Sequence, residues 1–175
     1  MKRNLIVLII SAMCLFTMSA CSSSSEVESS TQTADTRLSV TDTLTAEHFE
    51  FSILSVTASQ SVKTEIGTEY TAAEGNTMVT VVFAAKNISD DTQNVMYTNF
   101  NSYVDGNKVS MVGAVGKVDG YMPLIGAVSS GMSFDGYTIW ELSKDWGELE
   151  FTYIDALTGS ESENSFVLYP SDISQ

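Results

Sequence analysis

From Gly75 to Asp91 the chain reads Gly-Asn-Thr-Met-Val-Thr-Val-Val-Phe-Ala-Ala-Lys-Asn-Ile-Ser-Asp-Asp, an apolar run set between a glycine and a polar turn. β-branched and aromatic residues bounded by turn formers predict a central β-strand. Val79, Val81, Phe83 and Ala85 share one face at the two-residue period of a strand, and Thr80, Val82, Ala84 and Lys86 share the other. One face is therefore expected to be deeply buried and the other mixed. A strand of this kind is a spine, and its partners have to come from the rest of the chain.

Several further segments have the same period. Phe49, Phe51 and Ile53 alternate, and Leu54, Val56 and Ala58 continue in the opposite phase, which predicts a bulge near Ile53-Leu54. Residues 60–75 are polar and hold two glycines, so a loop is expected, with a short strand at Glu69-Tyr70-Thr71. Asp105-Gly106-Asn107 is a strong hairpin signal between Ser102-Tyr103-Val104 and Lys108-Val109-Ser110-Met111. From Met132 to Leu142, Phe134, Thr138, Trp140 and Leu142 face one way, Tyr137 and Ile139 the other. Leu149, Phe151 and Tyr153 alternate with Glu148, Glu150 and Thr152 as a half-exposed strand, and Asn164–Tyr169 closes the series before Pro170. No stretch sustains a helical period over three turns. With 175 residues and 43% hydrophobic content, the chain has enough apolar mass for one core and too little length for two full-sized domains. The pattern is that of an all-β sandwich of about seven to nine strands.

The N-terminus has a different character. Lys2 and Arg3 precede an apolar stretch, Leu5 to Phe16, and Met18-Ser19-Ala20 leads directly into Cys21. Residues 1–20 therefore predict an export signal peptide. Residues 21–45 are rich in Ser and Thr and poor in apolar side chains, so a disordered tether is expected, spanning roughly 25–30 Å by random-coil scaling. Residues 46–175 are the expected folded domain. Both cysteines, Cys14 and Cys21, precede it, so it can hold no disulfide and rests on core packing alone.

Met18-Ser19-Ala20-Cys21 resembles the lipobox of bacterial lipoproteins, with Met18 where Leu is usual. The resemblance implies cleavage before Cys21, lipid on its sulfur, and a protein anchored on the extracytoplasmic face of the cell membrane. From about Phe49 to Tyr169 the chain also resembles a family of bacterial lipoprotein domains of unknown function with a telokin-like, immunoglobulin-like fold. The matching residues are Lys86-Asn87-Ile88-Ser89-Asp90-Asp91, the Gly131-Met132-Ser133-Phe134-Asp135-Gly136-Tyr137 run, Trp140-Glu141-Leu142 and Glu148-Leu149-Glu150-Phe151-Thr152-Tyr153. Ser143 stands where the family tends to have Pro. The fold this implies is an antiparallel immunoglobulin-like sandwich. The family carries no catalytic motif, and a fold alone assigns no function.

Chemistry-bearing residues are sparse. The formal charge is −14, and loss of Lys2 and Arg3 would make it more negative, which disfavours a nucleic-acid partner. The single histidine, His48, has no G-x-S-x-G nucleophile elbow to serve and reads as a surface or edge position. Gly113-Ala114-Val115-Gly116-Lys117 lacks the leading glycine and the Ser/Thr of a phosphate loop and reads as a turn. Asp90, Asp91, Asp105 and Asp119, with Glu161 and Glu163, fall in predicted turns where calcium could be held, but turn chemistry accounts for them without a metal. No cofactor is expected. The binding candidate is Tyr121-Met122-Pro123-Leu124-Ile125, an apolar run in a glycine-punctuated segment, read either as an exposed partner surface or as a crossing that buries Leu124 and Ile125.

The expectation is a non-enzymatic, lipid-anchored binding module for an envelope protein or another extracellular ligand. The alternatives are a structural or accessory envelope lipoprotein, and a hydrolase with an unrecognised acidic site.

Overall fold

The apolar run forms the strand its composition predicts and takes partners along both edges. The computed structural model describes residues 36–174. In chain order the first strands are β1 (Thr36–Leu38), β2 (Thr43–Thr45), β3 (Phe49–Ser59), β4 (Ser61–Lys63) and β5 (Glu69–Thr71). The spine is β6 (Asn76–Asn87), followed by β7 (Gln93–Met96), β8 (Phe100–Val104), β9 (Asn107–Val109) and β10 (Met111–Val112). The last are β11 (Met122–Pro123), β12 (Ile125–Val128), β13 (Ser133–Ser143), β14 (Leu149–Tyr153) and β15 (Asn164–Leu168).

Two sheets pack face to face. One runs β10-β13-β6-β3-β2 with β11 added on β13, and the other runs β1-β15-β14-β8-β9. In the first, Val81 lies between Thr138 and Val56, and Phe83 between Gly136 and Ile53. The inward side chains of both sheets form one core that includes Phe51, Phe83, Phe100, Trp140, Phe151, Tyr153 and Phe166. Phe83 stacks on Phe100 with centroids 5.3 Å apart and meets Phe151 edge-on at 5.7 Å, an arrangement that adds to plain area burial. The molecule is an all-β, immunoglobulin-like sandwich.

The predicted devices are in place. The β3–β6 register shifts between Ile53 and Ser55, which is the expected bulge. Asp105 and Gly106 take positive φ values of 49° and 77° at the β8–β9 hairpin, as a two-residue primed turn requires. Thr138, Trp140 and Leu142 are buried, with Trp140 and Leu142 in the main core, whereas Tyr137 and Ile139 belong to a second cluster.

That cluster revises the expected mixed face of β6. Residues Met78 to Phe83 are all buried, because a cover lies over the outer side of β6 and β13. The β4–β5 hairpin and the segment around Ala114 and Val118 pack there on Met78, Val82, Tyr137 and Ile139. The cover is pinned by polar bonds. The Val115 amide donates to the Tyr70 hydroxyl at 2.9 Å, and the Tyr137 hydroxyl donates to the Gly116 carbonyl at 2.8 Å. Burial pushes the Tyr137 phenol up to about 12, which keeps it a donor. Gly116 has φ 85°, and a Cβ there would meet Ile66 Cγ1 at 2.8 Å, so only glycine closes this contact.

Two expectations are corrected. The tether does not run to residue 45, since β1 and β2 lie within that range and Leu44 is fully buried. Leu38, Val40 and Leu44 are too widely spaced to announce a strand, but each packs on the core. The strand count is also higher among the described residues. The extra members are short pieces, and two of the pairings, β1–β15 and β11–β13, are parallel. Segments of two or three residues leave no alternation to read. Residues 1–20, Cys21 and the tether to residue 35 lie outside the described residues.

Candidate functional site

The two sheets differ in what covers them. The outer side of β6 and β13 is closed by the β4–β5 cover, while the outer side of β8 and β14 is open. There the alternation that buries Leu149, Phe151 and Tyr153 sends Glu150 and Thr152 outward. The register sets Glu150 opposite Tyr103 and Thr152 opposite Asn101, and Tyr103 in turn opposite Lys108 on β9.

These side chains are cross-linked. Glu150 Oε1 accepts from Ser165 Oγ at 2.7 Å, and Arg37 on β1 pairs with Glu148 at 2.8 Å and approaches Glu150 Oε2 at 3.8 Å. Glu161 Oε1 accepts from Thr152 Oγ1 and, at 3.2 Å, from Asn101 Nδ2. Lys108 Nζ donates to Asn101 Oδ1 at 3.3 Å. The result is an open hollow of about 520 Å³ lined by Tyr103, Gly106, Glu150, Thr152, Glu161 and Ser162. Its size falls in the range of small-ligand pockets. It offers an aromatic ring, carboxylates already oriented by neighbours, and a cation on either margin.

Behind the rim, Asp155 is 4% exposed. Its Oδ2 lies 2.7 Å from His48 Nδ1, and its Oδ1 accepts from the Leu157 amide at 2.9 Å and the Thr158 amide at 3.2 Å. Burial alone would raise the Asp155 carboxyl, but the hydrogen bond from His48 and the two amides outweigh it and hold it below the ordinary value. His48, expected at the surface or an edge, is in fact half-buried in this pair.

The stretch from Tyr121 to Ile125 divides. Leu124 is fully buried in the main core, Pro123 is buried beside β13, and Tyr121 packs on the second cluster. Met122 and Ile125 stay 44% and 48% exposed. The crossing thus buries Leu124, as one reading expected, but leaves Ile125 outside. Asp105 spends its carboxylate on the amides of Gly147 and Glu148, at 3.0–3.2 Å. Asp90 and Asp91 are exposed in the turn after β6, and Asp119 is exposed with φ 50°. Among the described residues no three His, Cys, Asp or Glu side chains converge to hold a metal.

Tyr103 and Glu150 were not singled out by sequence as site residues, and Glu161 was marked only as a turn carboxylate. The Glu148/Glu150/Thr152 alternation did mark an exposed face, but nothing local says that Asn101 and Tyr103 lie beside it.

The fold and this face define a polar-faced immunoglobulin-like β-sandwich. No family model matches the chain, and no curated protein matches it. Among solved structures it is similar to the ycdA protein of Bacillus subtilis strain 168, provisionally described as a lipoprotein, at 17% identity and a TM-score of 0.58. That match covers 74% of this chain, which spans only 39% of the ycdA chain. It is also similar to the Bacillus subtilis yjhA protein, at 16% identity and a TM-score of 0.56, over 75% of this chain and 97% of that one. At these identities the likeness is one of fold.

Proposed function

We propose that this protein is a lipid-anchored, extracytoplasmic binding module that works through the open face of its five-stranded sheet and carries no catalysis of its own. The observation that carries the reading is the difference in coverage between the sheets. One outer face is sealed by a dedicated apolar cover, and the other presents an ordered polar hollow around Tyr103, Glu150 and Glu161. A purely structural sandwich has no need of that asymmetry. The anchor is Cys21, at the end of a signal that resembles a lipobox, and the fold shared with ycdA is in keeping with it.

A partner of stated kind follows from the surface: an envelope protein or extracellular ligand able to meet a tyrosine ring flanked by carboxylates. Met122 and Ile125 form a second, apolar contact point, favoured by their exposure.

The test is a crosslinking pull-down from intact cells, with wild type and Cys21→Ala compared. A partner recovered with the anchored form, and a shift of Cys21→Ala out of the membrane fraction or into an unprocessed form, are expected. Normal processing and membrane retention of Cys21→Ala would refute the anchor, and an absence of partners in both forms would refute the binding role.

A further inference from the structure

The hollow is bounded on one side by Glu161 and Ser162, and these residues end the turn that begins at Asp155. Ile154 bridges to Glu161, the Asp155 amide donates to the Ser160 carbonyl at 2.8 Å, and the Gly159 amide donates to the Asp155 carbonyl at 2.9 Å. The turn is closed on itself through Asp155, and it is joined to the strand entry at residues 47–48 through Asp155 to His48 and Thr158 to Glu47. Glu161 is held from the sheet by Thr152 and Asn101, and the turn that leads into it is held by a contact between residues 107 positions apart.

The charges around that contact are unbalanced. Around it, Glu47 Oε2 accepts from Thr158 Oγ1 at 2.7 Å, and the buried Tyr153 phenol at the end of β14 is pushed up by burial and by the Asp155 charge. On β3, Glu50 is already paired with Lys86 at 3.4 Å. The turn after β6, whose Ile88 amide donates to the His48 carbonyl, carries Asp90 and Asp91, both exposed. Among the described residues, His48 is the one cation within ion-pair distance of Asp155.

We infer that His48 is a protonation-sensitive latch on the proposed site: as imidazolium it holds the 155–160 turn and Glu161 in place, and as neutral imidazole it loosens them. The regulation of that face rests on the binding reading, but the latch itself requires no ligand. Histidine is the side chain whose charge changes under mild conditions. Loss of the proton leaves a hydrogen bond in one tautomer but removes the charge, and charge-assisted bonds are roughly twice as strong as neutral ones. Asp155 is then a buried carboxylate with no charged partner within ion-pair distance among the described residues, an arrangement that burial penalises.

The experiment is nuclear magnetic resonance of the full mature protein between about pH 5 and pH 8.5, the range over which histidine charge changes. The His48 ring carbons report its protonation, and amide exchange, corrected for the intrinsic rate, reports the turn. Protection of the Leu157 and Thr158 amides is expected to fall about fivefold or more as pH rises through the His48 midpoint. The Glu161 amide shift should move with the same midpoint. In His48→Gln, and independently in Asp155→Asn, both responses should be flat.

A wild-type turn whose protection ignores the His48 midpoint would overturn the proposal, even if neither variant folds. So would a pH response that persists in either variant. Because no ligand is present, failure of the latch leaves the binding face standing, and failure to find a partner leaves the latch standing.

Discussion

Asn87 donates a hydrogen bond from Nδ2 to the carbonyl oxygen of Val128, 2.8 Å away, and its side chain is wholly buried. The same Nδ2 donates to the Asp91 carbonyl at 2.7 Å, while Oδ1 accepts from the amide and hydroxyl of Ser89. Its main chain is paired with Gly131 and Met132. One amide thus fastens the end of the spine, the turn that follows it, and the β12–β13 connection. A buried group with every bond made is expensive to remove, since its former partners are left unpaired. Asn87→Ala is expected to cost about 2–3 kcal/mol in urea unfolding. Asn87→Asp keeps the shape but loses both donated bonds, and should be comparably damaging.

Phe83 is fully buried at the centre of the aromatic core. Phe83→Asp should abolish folding, and Phe83→Ala should cost about 3–5 kcal/mol through lost transfer energy and the cavity left behind. Asp90, exposed in a turn, should change stability by less than about 0.5 kcal/mol on replacement by Ala. Chemical denaturation of the three variants separates the spine from its turn.

Acid should loosen the protein through Asp155. Its carboxyl is held below its ordinary value in the folded state, so it contributes stability that is present above the unfolded value and lost as pH falls through the folded one. Wild type should therefore exceed Asp155→Asn in stability near neutral pH, and the gap should narrow from about pH 4 downward. Unfolding midpoints measured across that range decide it. A gap independent of pH would mean that the ionised form is not what matters.

The legible part of this fold was whatever repeats over five or more residues. β3, β6, β13 and β14 each carry enough alternation to fix their faces, and the bulge at Ile53 appears as a change of phase. Asp105-Gly106 is legible because its turn demands positive φ. The illegible part depends on partners distant in sequence. β1 has three residues, and Leu38 becomes a core contact only because Phe166 on β15 lies opposite it. The burial of Val82 depends on a cover supplied by residues near Val62 and Val118. His48 and Asp155 are each unremarkable in sequence, and their pairing exists only after the fold has formed. The candidate face has the same origin, since Glu150 is readable as exposed but its neighbour Tyr103 is set by sheet register.

The central claim is that the open face around Tyr103 is the working surface. A photo-crosslinking residue placed at position 103 in the anchored protein, with a second at Ile66 on the covered side and a third at Ile125, tests it in intact cells. The account predicts a discrete adduct from position 103 that Glu161→Gln weakens, with none from position 66. An adduct from position 66 with none from position 103 would contradict it, and an adduct confined to position 125 would move the working surface to the apolar crossing.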